Sequence, residues 1–235
     1  MTSIYLDKTY LQANPSWHEE DSPWKAEKIA AMIQANGLVP ATVAEIGCGA
    51  GGILAALHRK LPRTTVFNGY EIAPTAFERA KAKEGERLCY YNQDLLSDDS
   101  SFDLLLVIDV LEHIPNYYAF AEGCRSKAKY KIYHIPLEIS VQSVLRASFA
   151  FTLDSGRNGV GHLHFFTAES ALMALKETGH RILDVAYTAG GVELAALHPS
   201  FKRRIANIPR RMVAAVSPAW AARLLSGFSL LVLCE

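Results

Sequence analysis

A doubly wound α/β sheet is the fold that this sequence predicts, and three observations predict it. Val43-Ala-Glu-Ile-Gly-Cys-Gly-Ala-Gly-Gly52 is a short apolar strand run that breaks into glycines and passes at once into a helix-forming stretch. Strand-like and helix-like stretches then alternate along most of the chain, the rhythm of a mostly parallel sheet with helices on both faces. Residues 102–108 form an almost unbroken apolar run, the pattern of a parallel strand buried on both sides.

Taken in order, Ser22-Pro23 opens the first helix, with Ser22 as N-cap and Pro23 at the first helical position. That helix runs over 24–36 and stops at Gly37. Ahead of it, Tyr5, Tyr10, Trp17 and Trp24 form an aromatic lead-in that packs on the core or covers a ligand pocket. The first strand is 42–46, and a helix over 53–61 follows its glycines. The second strand, 65–72, leads to a helix over 74–83. The third is 87–91, the fourth 102–108 and the fifth 129–134. Residues 136–166 interrupt the rhythm, a long connection carrying Gly156, Gly159 and Gly161 around Asp154, Arg157 and Asn158. Thr167 caps a helix over 168–178 that Gly179 ends. The sixth strand is 181–187, a helical insertion spans 200–226, and the seventh strand is 228–234. The chain reads as one domain over 1–235. A cap segment, 1–37, and two insertions, 136–166 and 190–226, shape its pocket.

With 235 residues, 50% hydrophobic and 20% charged, the chain is able to bury a proper core. Its zero net charge argues against nucleic acid as a partner. Cys48, Cys89, Cys124 and Cys234 show no metal-ligand spacing and read as buried free thiols. The first residues lack the apolar core of a signal peptide, and no apolar run approaches ~20 residues, so no membrane span is expected and a cytoplasmic setting is. The basic stretches 201–204 and 209–211 read as a solvated helix face, with contact to an anionic substrate or a membrane surface as the second reading.

Gly47-x-Gly49-x-x-Gly52 matches the fingerprint of a dinucleotide turn, so an NAD(P)-dependent oxidoreductase is a competing reading. Glu45 ahead of the glycines, Asn92-Gln93-Asp94 after the third strand and Asp109-Val-Leu-Glu-His-Ile114 after the fourth weigh against it. Together these motifs resemble the class I S-adenosylmethionine (SAM)-dependent methyltransferases, most sharply over residues 40–135. The resemblance implies a seven-stranded, mostly parallel sheet whose last strand runs antiparallel beside the fifth. It also implies SAM as cofactor and a small-molecule methyl acceptor, methylated at oxygen or nitrogen. In open α/β sheets the ligand lies beyond the carboxyl ends of the strands. The expected cofactor residues stand there: Glu45, Gly47, Gly49 and Gly51 at the first strand, Glu71 and Ile72 at the second, Asp94 and Leu95 at the third, and Asp109 at the fourth. Glu71 falls twenty residues after Gly51, the spacing of a ribose-binding acid.

Methyl transfer asks an enzyme to align its nucleophile and, for oxygen or nitrogen, to take a proton. His113, His134 and His164 are the candidate bases, with His162 beside the last in Gly161-His-Leu-His-Phe-Phe166. No metal is assigned to the site. Asp109-x-x-Glu112-His113 nonetheless resembles the metal-binding Glu-x-x-Glu-His of ubiquinone-pathway O-methyltransferases and small-RNA 3′-end methyltransferases, with Asp in place of the first Glu. His134 or His164 would complete such a set. A metal-assisted RNA 2′-O-methyltransferase and a non-catalytic SAM-binding protein are the remaining readings.

Overall fold

The computed structural model describes residues 16, 17, 19–150, 161–196 and 201–235. Seven strands form one sheet: β1 (Thr42–Ile46), β2 (Val66–Tyr70), β3 (Leu88–Tyr91), β4 (Phe102–Ile108), β5 (Ala128–Leu137), β6 (Ile182–Thr188) and β7 (Phe228–Cys234). Their order is β3-β2-β1-β4-β5-β7-β6. The first five pair in parallel, and β7 runs antiparallel between β5 and β6. The expected placement of the seventh strand is therefore observed. Leu104, Leu105, Leu106 and Val107 of β4 are at most 1% exposed, because helices cover both faces of the central strand. One face packs Ala44, Leu105, Tyr133 and Val232 together. The other packs Val43, Leu106, Ile132 and Leu231.

The described helices are α1 (Ser22–Ala35), α2 (Gly52–His58), α3 (Pro74–Lys81), α4 (Tyr117–Cys124), α5 (Val141–Ala150), α6 (Ala168–Glu177), α7 (Gly190–Glu193), α8 (Phe201–Val216) and α9 (Pro218–Leu224). None of them is long and apolar enough to cross a membrane. Several boundaries differ from the sequence-based expectation. Asp21, not Ser22, occupies the N-cap of α1, and its side chain makes no capping bond. β2 stops at Tyr70, so Glu71 and Ile72 lie on the loop beyond it. β5 runs on past His134 to Leu137, because β7 supplies partners as far as Leu137↔Phe228 and accommodates Pro136. The insertion expected at 200–226 is two helices. Ser217 separates them, its side chain accepting the Trp220 N–H to start α9. Thr167 caps α6 as expected, in a reciprocal pair with Ser170. All four cysteines are free thiols, and Cys89 is only half-buried. Tyr5, Tyr10 and the segment 154–160 lie outside the described residues.

The turn after β1 positions the site. Gly51 sits at φ +77°, and a Cβ there would lie 2.6 Å from the Tyr90 ring. The Tyr90 hydroxyl donates to the Gly51 carbonyl oxygen at 2.7 Å, so the ring seals the underside of the turn. A side chain at 51 meets both a left-handed backbone and a filled space. Gly51→Ala should cost about 1–3 kcal/mol, measured by urea denaturation. A variant within about 0.5 kcal/mol of the parent would show that the turn is not clamped this way.

Candidate functional site

A cavity of about 900 Å³ opens along the carboxyl ends of β1, β2, β4 and β5. Its walls include Glu45, Gly47, Gly49, Glu71, Ile72, Asp109, Glu112, His113, His134 and His162. Trp17 and Trp24 of the aromatic lead-in face it too. Open parallel sheets collect ligands at this edge because the loops there diverge to opposite sides.

Glu45 is 1% exposed in the middle of the sheet, and its Oε2 has no hydrogen-bond partner among the described residues. Burial pushes its carboxyl well above the usual range, although the nearby Lys25 charge pulls the other way. Glu71 is anchored differently. Its Oε2 accepts the Gly49 N–H and its Oε1 the Ala73 N–H, each at 2.8 Å. Burial still raises its carboxyl, against those backbone bonds. Gly49, at φ +55°, has nothing within 4 Å of where a Cβ would stand, which leaves its backbone open toward the cavity.

Asp109 follows β4 in the left-handed region, at φ 54°. That turn aims its carboxylate at two partners. Lys25 Nζ of α1 lies 2.7 Å from Oδ2, and His134 Nδ1 of β5 lies 2.6 Å from Oδ1. Burial pushes the Asp109 carboxyl up, but the charges of His134 and Lys25 outweigh it and hold the group below the usual carboxylate range. Burial likewise works against the Lys25 ammonium, and Asp109 outweighs it, so Lys25 stays above its ordinary value. His134 is fixed at its other nitrogen as well, Nε2 lying 2.9 Å from Thr188 Oγ1 on β6.

Glu112 is fully buried, and neither of its carboxylate oxygens has a hydrogen-bond partner among the described residues. Burial, then the Asp109 charge, raises its carboxyl well above the usual range. The His113 ring adjoins it, with Nε2 4.0 Å from Glu112 Oε1. His113 Nδ1 donates to the Gly161 carbonyl oxygen at 3.1 Å. His162 Nδ1 donates to the Glu138 carboxylate at 2.8 Å. The ligand atoms of Glu112, His113 and His162 all lie within 4.8 Å of one another.

Four expected placements need correction. His164 is not a wall of the cavity: its Nε2 is held by the Ile114 and Pro115 carbonyl oxygens, and its neighbour His162 points into the site instead. Asp94 and Leu95 also stand outside the walls. Asp94 Oδ1 accepts the Leu96 N–H, capping the turn Leu95–Ser97, and Leu95 is fully buried. Asp109 does not group with Glu112 and His113 as a ligand set, because Lys25 and His134 already hold both of its oxygens. Gly51 turns the backbone against Tyr90 and is not a wall of the cavity either. Lys25 escaped the sequence reading altogether. It sits 84 positions before Asp109, with no motif to link them.

Comparison with known proteins places this geometry in context. A family model described as a methyltransferase domain matches residues 44–129. Ubiquinone biosynthesis O-methyltransferases of Histophilus somni and Glaesserella parasuis are each 30% identical over 105 residues. Those stretches are 41% and 40% of this chain and 44% and 43% of the relatives, so the chain spans less than half the length of the curated proteins it matches. Among solved structures, magnesium protoporphyrin IX methyltransferase from Synechocystis, with bound SAH, superposes with a TM-score of 0.61 at 16% identity. The match covers 91% of this chain and 83% of that one. A SAM-dependent methyltransferase from Archaeoglobus fulgidus superposes with a TM-score of 0.54 at 17% identity, over 89% and 93%. These likenesses establish the sheet order as the class I methyltransferase fold.

The unpartnered Glu45 carboxyl makes a pH prediction. Its folded-state pKa stands above the unfolded value of about 4.3, so its share of stability is full below that pH and is lost as pH rises toward the folded value. Glu45→Gln removes that loss. Melting curves from about pH 4 to pH 8 should show near-equal stability at the acid end and a growing advantage for Glu45→Gln above it. Parallel curves would mean that Glu45 is not strained by its burial.

Proposed function

We infer that this chain, a member of the class I SAM-dependent methyltransferases by its fold and its matched segment, transfers a methyl group to an oxygen or nitrogen of a small-molecule acceptor. The observation that carries the reading is the acid-lined crevice at the ends of β1, β2 and β4, with Glu45 buried and one of its oxygens left without a partner. An ordered cation is the ligand such a crevice suits. SAM, when bound, supplies a methyl group on a sulfonium centre that a nucleophile displaces.

The residues divide the work by position. Glu45, Gly47 and Asp109 would face the ammonium-bearing tail. Gly49 leaves its backbone open for close approach, and Glu71 is the acid for the ribose diol. A carboxylate has about four acceptor positions, so Glu71 keeps capacity beyond the Gly49 and Ala73 bonds. Ile72 lies beside it on the wall. Asp94 would reach an adenine edge only if the ligand extends past the present wall. His113 is the base this geometry favours. It lines the cavity, its Nδ1 is committed to the Gly161 carbonyl, and its Nε2 faces the Glu112 side. His134, clamped between Asp109 and Thr188, orients the end of β4.

A second reading rests on the unpartnered Glu112. Glu112, His113 and His162 would hold a divalent cation, which lowers the pKa of an acceptor hydroxyl. Hydrogen bonds donated by the two histidines to the Gly161 carbonyl and the Glu138 carboxylate fix their rings as metal-ligand histidines are commonly fixed.

Calorimetry should show S-adenosylhomocysteine binding and no NAD(H) binding. Glu71→Ala should weaken that binding by about 1.5–3 kcal/mol, the range for hydrogen bonds to charged groups. Unchanged affinity removes the ribose assignment. For the metal, activity should fall on EDTA treatment and return with Mg²⁺ or Mn²⁺, and Glu112→Gln should abolish that response with cofactor affinity intact. Full activity after chelation leaves His113 as an unassisted base.

A further inference from the structure

The same cavity carries positive charge on its other side. Sheet order puts Glu71 and Glu45 on the β2–β1 side and Gly227 and Ser229 on the β7 side, with β4 and β5 between. On the β7 side the wall is completed by Arg146 of α5 and by Asn207 and Arg210 of α8. These helices belong to the two insertions that interrupt the strand–helix rhythm.

Arg210 is held in place without being neutralised. Its Nε donates to the Ser226 carbonyl oxygen at 2.7 Å, its Nη1 to Asn207 Oδ1 at 2.9 Å and its Nη2 to Gln142 Oε1 at 3.5 Å. Every acceptor is neutral. Asn207 is 3% exposed and is itself anchored, its Nδ2 donating to the Gly191 carbonyl oxygen at 3.1 Å. Gly191 in turn packs against Gly227, where a Cβ would meet the Gly227 Cα at 3.0 Å. The guanidinium therefore stands on a scaffold of close-packed backbone. Arg146 makes no hydrogen bond or ion pair among the described residues, yet it is near enough to repel Arg210. Burial, then the Arg146 charge, pulls the Arg210 guanidinium below its ordinary value. No described carboxylate forms an ion pair with either arginine.

Two cations on one cavity wall, one of them fixed by neutral groups, suit an anion that accepts from both. Guanidinium groups bind carboxylate and phosphate oxygens through paired N–H donors. We propose that Arg146 and Arg210 form the subsite for an anionic group, a carboxylate or a phosphate, on the methyl acceptor. The proposal rests on the methyltransferase reading of the cavity and adds the acceptor's charge to it. An acceptor held there lies along the cavity with its anionic end at β7 and its body toward His113 and Glu112. The acid crevice does not suit it in the reverse orientation, because Asp109 is held ionised there and repels an anion.

Benzoate, phenyl phosphate and neutral benzamide share a ring and differ in charge, which makes them the probes. They are titrated into the full chain by calorimetry, with and without S-adenosylhomocysteine. At least one anion should bind about tenfold tighter than benzamide, as charged hydrogen bonds require. The stronger anion identifies the group as carboxylate or phosphate. Arg146→Gln should cut that preference to about threefold or less, with S-adenosylhomocysteine affinity unchanged, and Arg146→Gln/Arg210→Gln should abolish it. Anions that bind no better than benzamide overturn the proposal, as does a full preference retained in Arg146→Gln. If the double variant fails to fold through loss of the Ser226 and Asn207 bonds, Arg146→Gln alone decides. An anion preference in a chain that does not bind S-adenosylhomocysteine would uphold the subsite and sink the methyltransferase reading instead.

Discussion

Much of this site depends on keeping several carboxylates in one crevice. Glu45, Asp109 and Glu112 all converge there, and like charges at short range repel strongly once water is excluded. The structure resolves the conflict unevenly. Asp109 takes the cation Lys25 and the ring of His134, and it stays ionised. Glu45 and Glu112 receive no hydrogen bond at the oxygens that face inward, and their carboxyls are pushed up instead. Lys25 therefore does more than tie α1 to the end of β4. Its field reaches Glu45 and Glu112 as well, so the position of one helix sets the charge state of a pocket built by other elements.

The scaffold was largely legible in the sequence because it is written in short-range patterns. The apolar run of β4, the glycines after β1 and the caps at Thr167 and Gly179 each depend on a few neighbouring residues. The placement of Glu45, Glu71 and Asp109 on the cavity wall was legible for the same reason, since the carboxyl ends of parallel strands face the ligand edge, but Asp94 beyond the edge strand β3 caps a turn outside it. What escaped was long-range. Nothing near Lys25 announces Asp109. Nothing in Gly161-His-Leu-His distinguishes His162, which enters the cavity, from His164, which binds the carbonyls of residues 114 and 115. A regular strand would turn residues two apart to the same face, so their divergence follows from the irregular backbone of 161–165, which no sequence pattern marks. The extension of β5 through Pro136 was hidden too, since only the partner strand β7 makes that residue part of a sheet.

The insertions illustrate a second limit. The helical character and basic content of the 200–226 insertion were visible, but the helix α5 within the connection 136–166, and the wall the two insertions make together, were not. Arg146 and Arg210 lie 64 positions apart, and Arg210 is placed by the packing of Gly191 on Gly227 and by its bond to Asn207. Small residues and buried amides of that kind carry no signal until the chain is folded around them.

The antiparallel strand between β5 and β6 also orders events in time. In this sheet β6 has β7 as its neighbour and does not touch β5, so its ladder cannot form before residues 228–234 are available. The hydrogen bond from His134 to Thr188 reaches across that same strand, from β5 to β6. A chain emerging vectorially from the ribosome can therefore assemble β1 to β5 as a half-sheet, with Asp109 and Lys25 already in place, while Thr188 is still unanchored. The edge of β5 stays open through the synthesis of some ninety further residues, a long interval for an apolar strand edge to wait unpaired. The side of the pocket that carries Arg210, Gly227 and Ser229 is accordingly completed after the side that carries the acids.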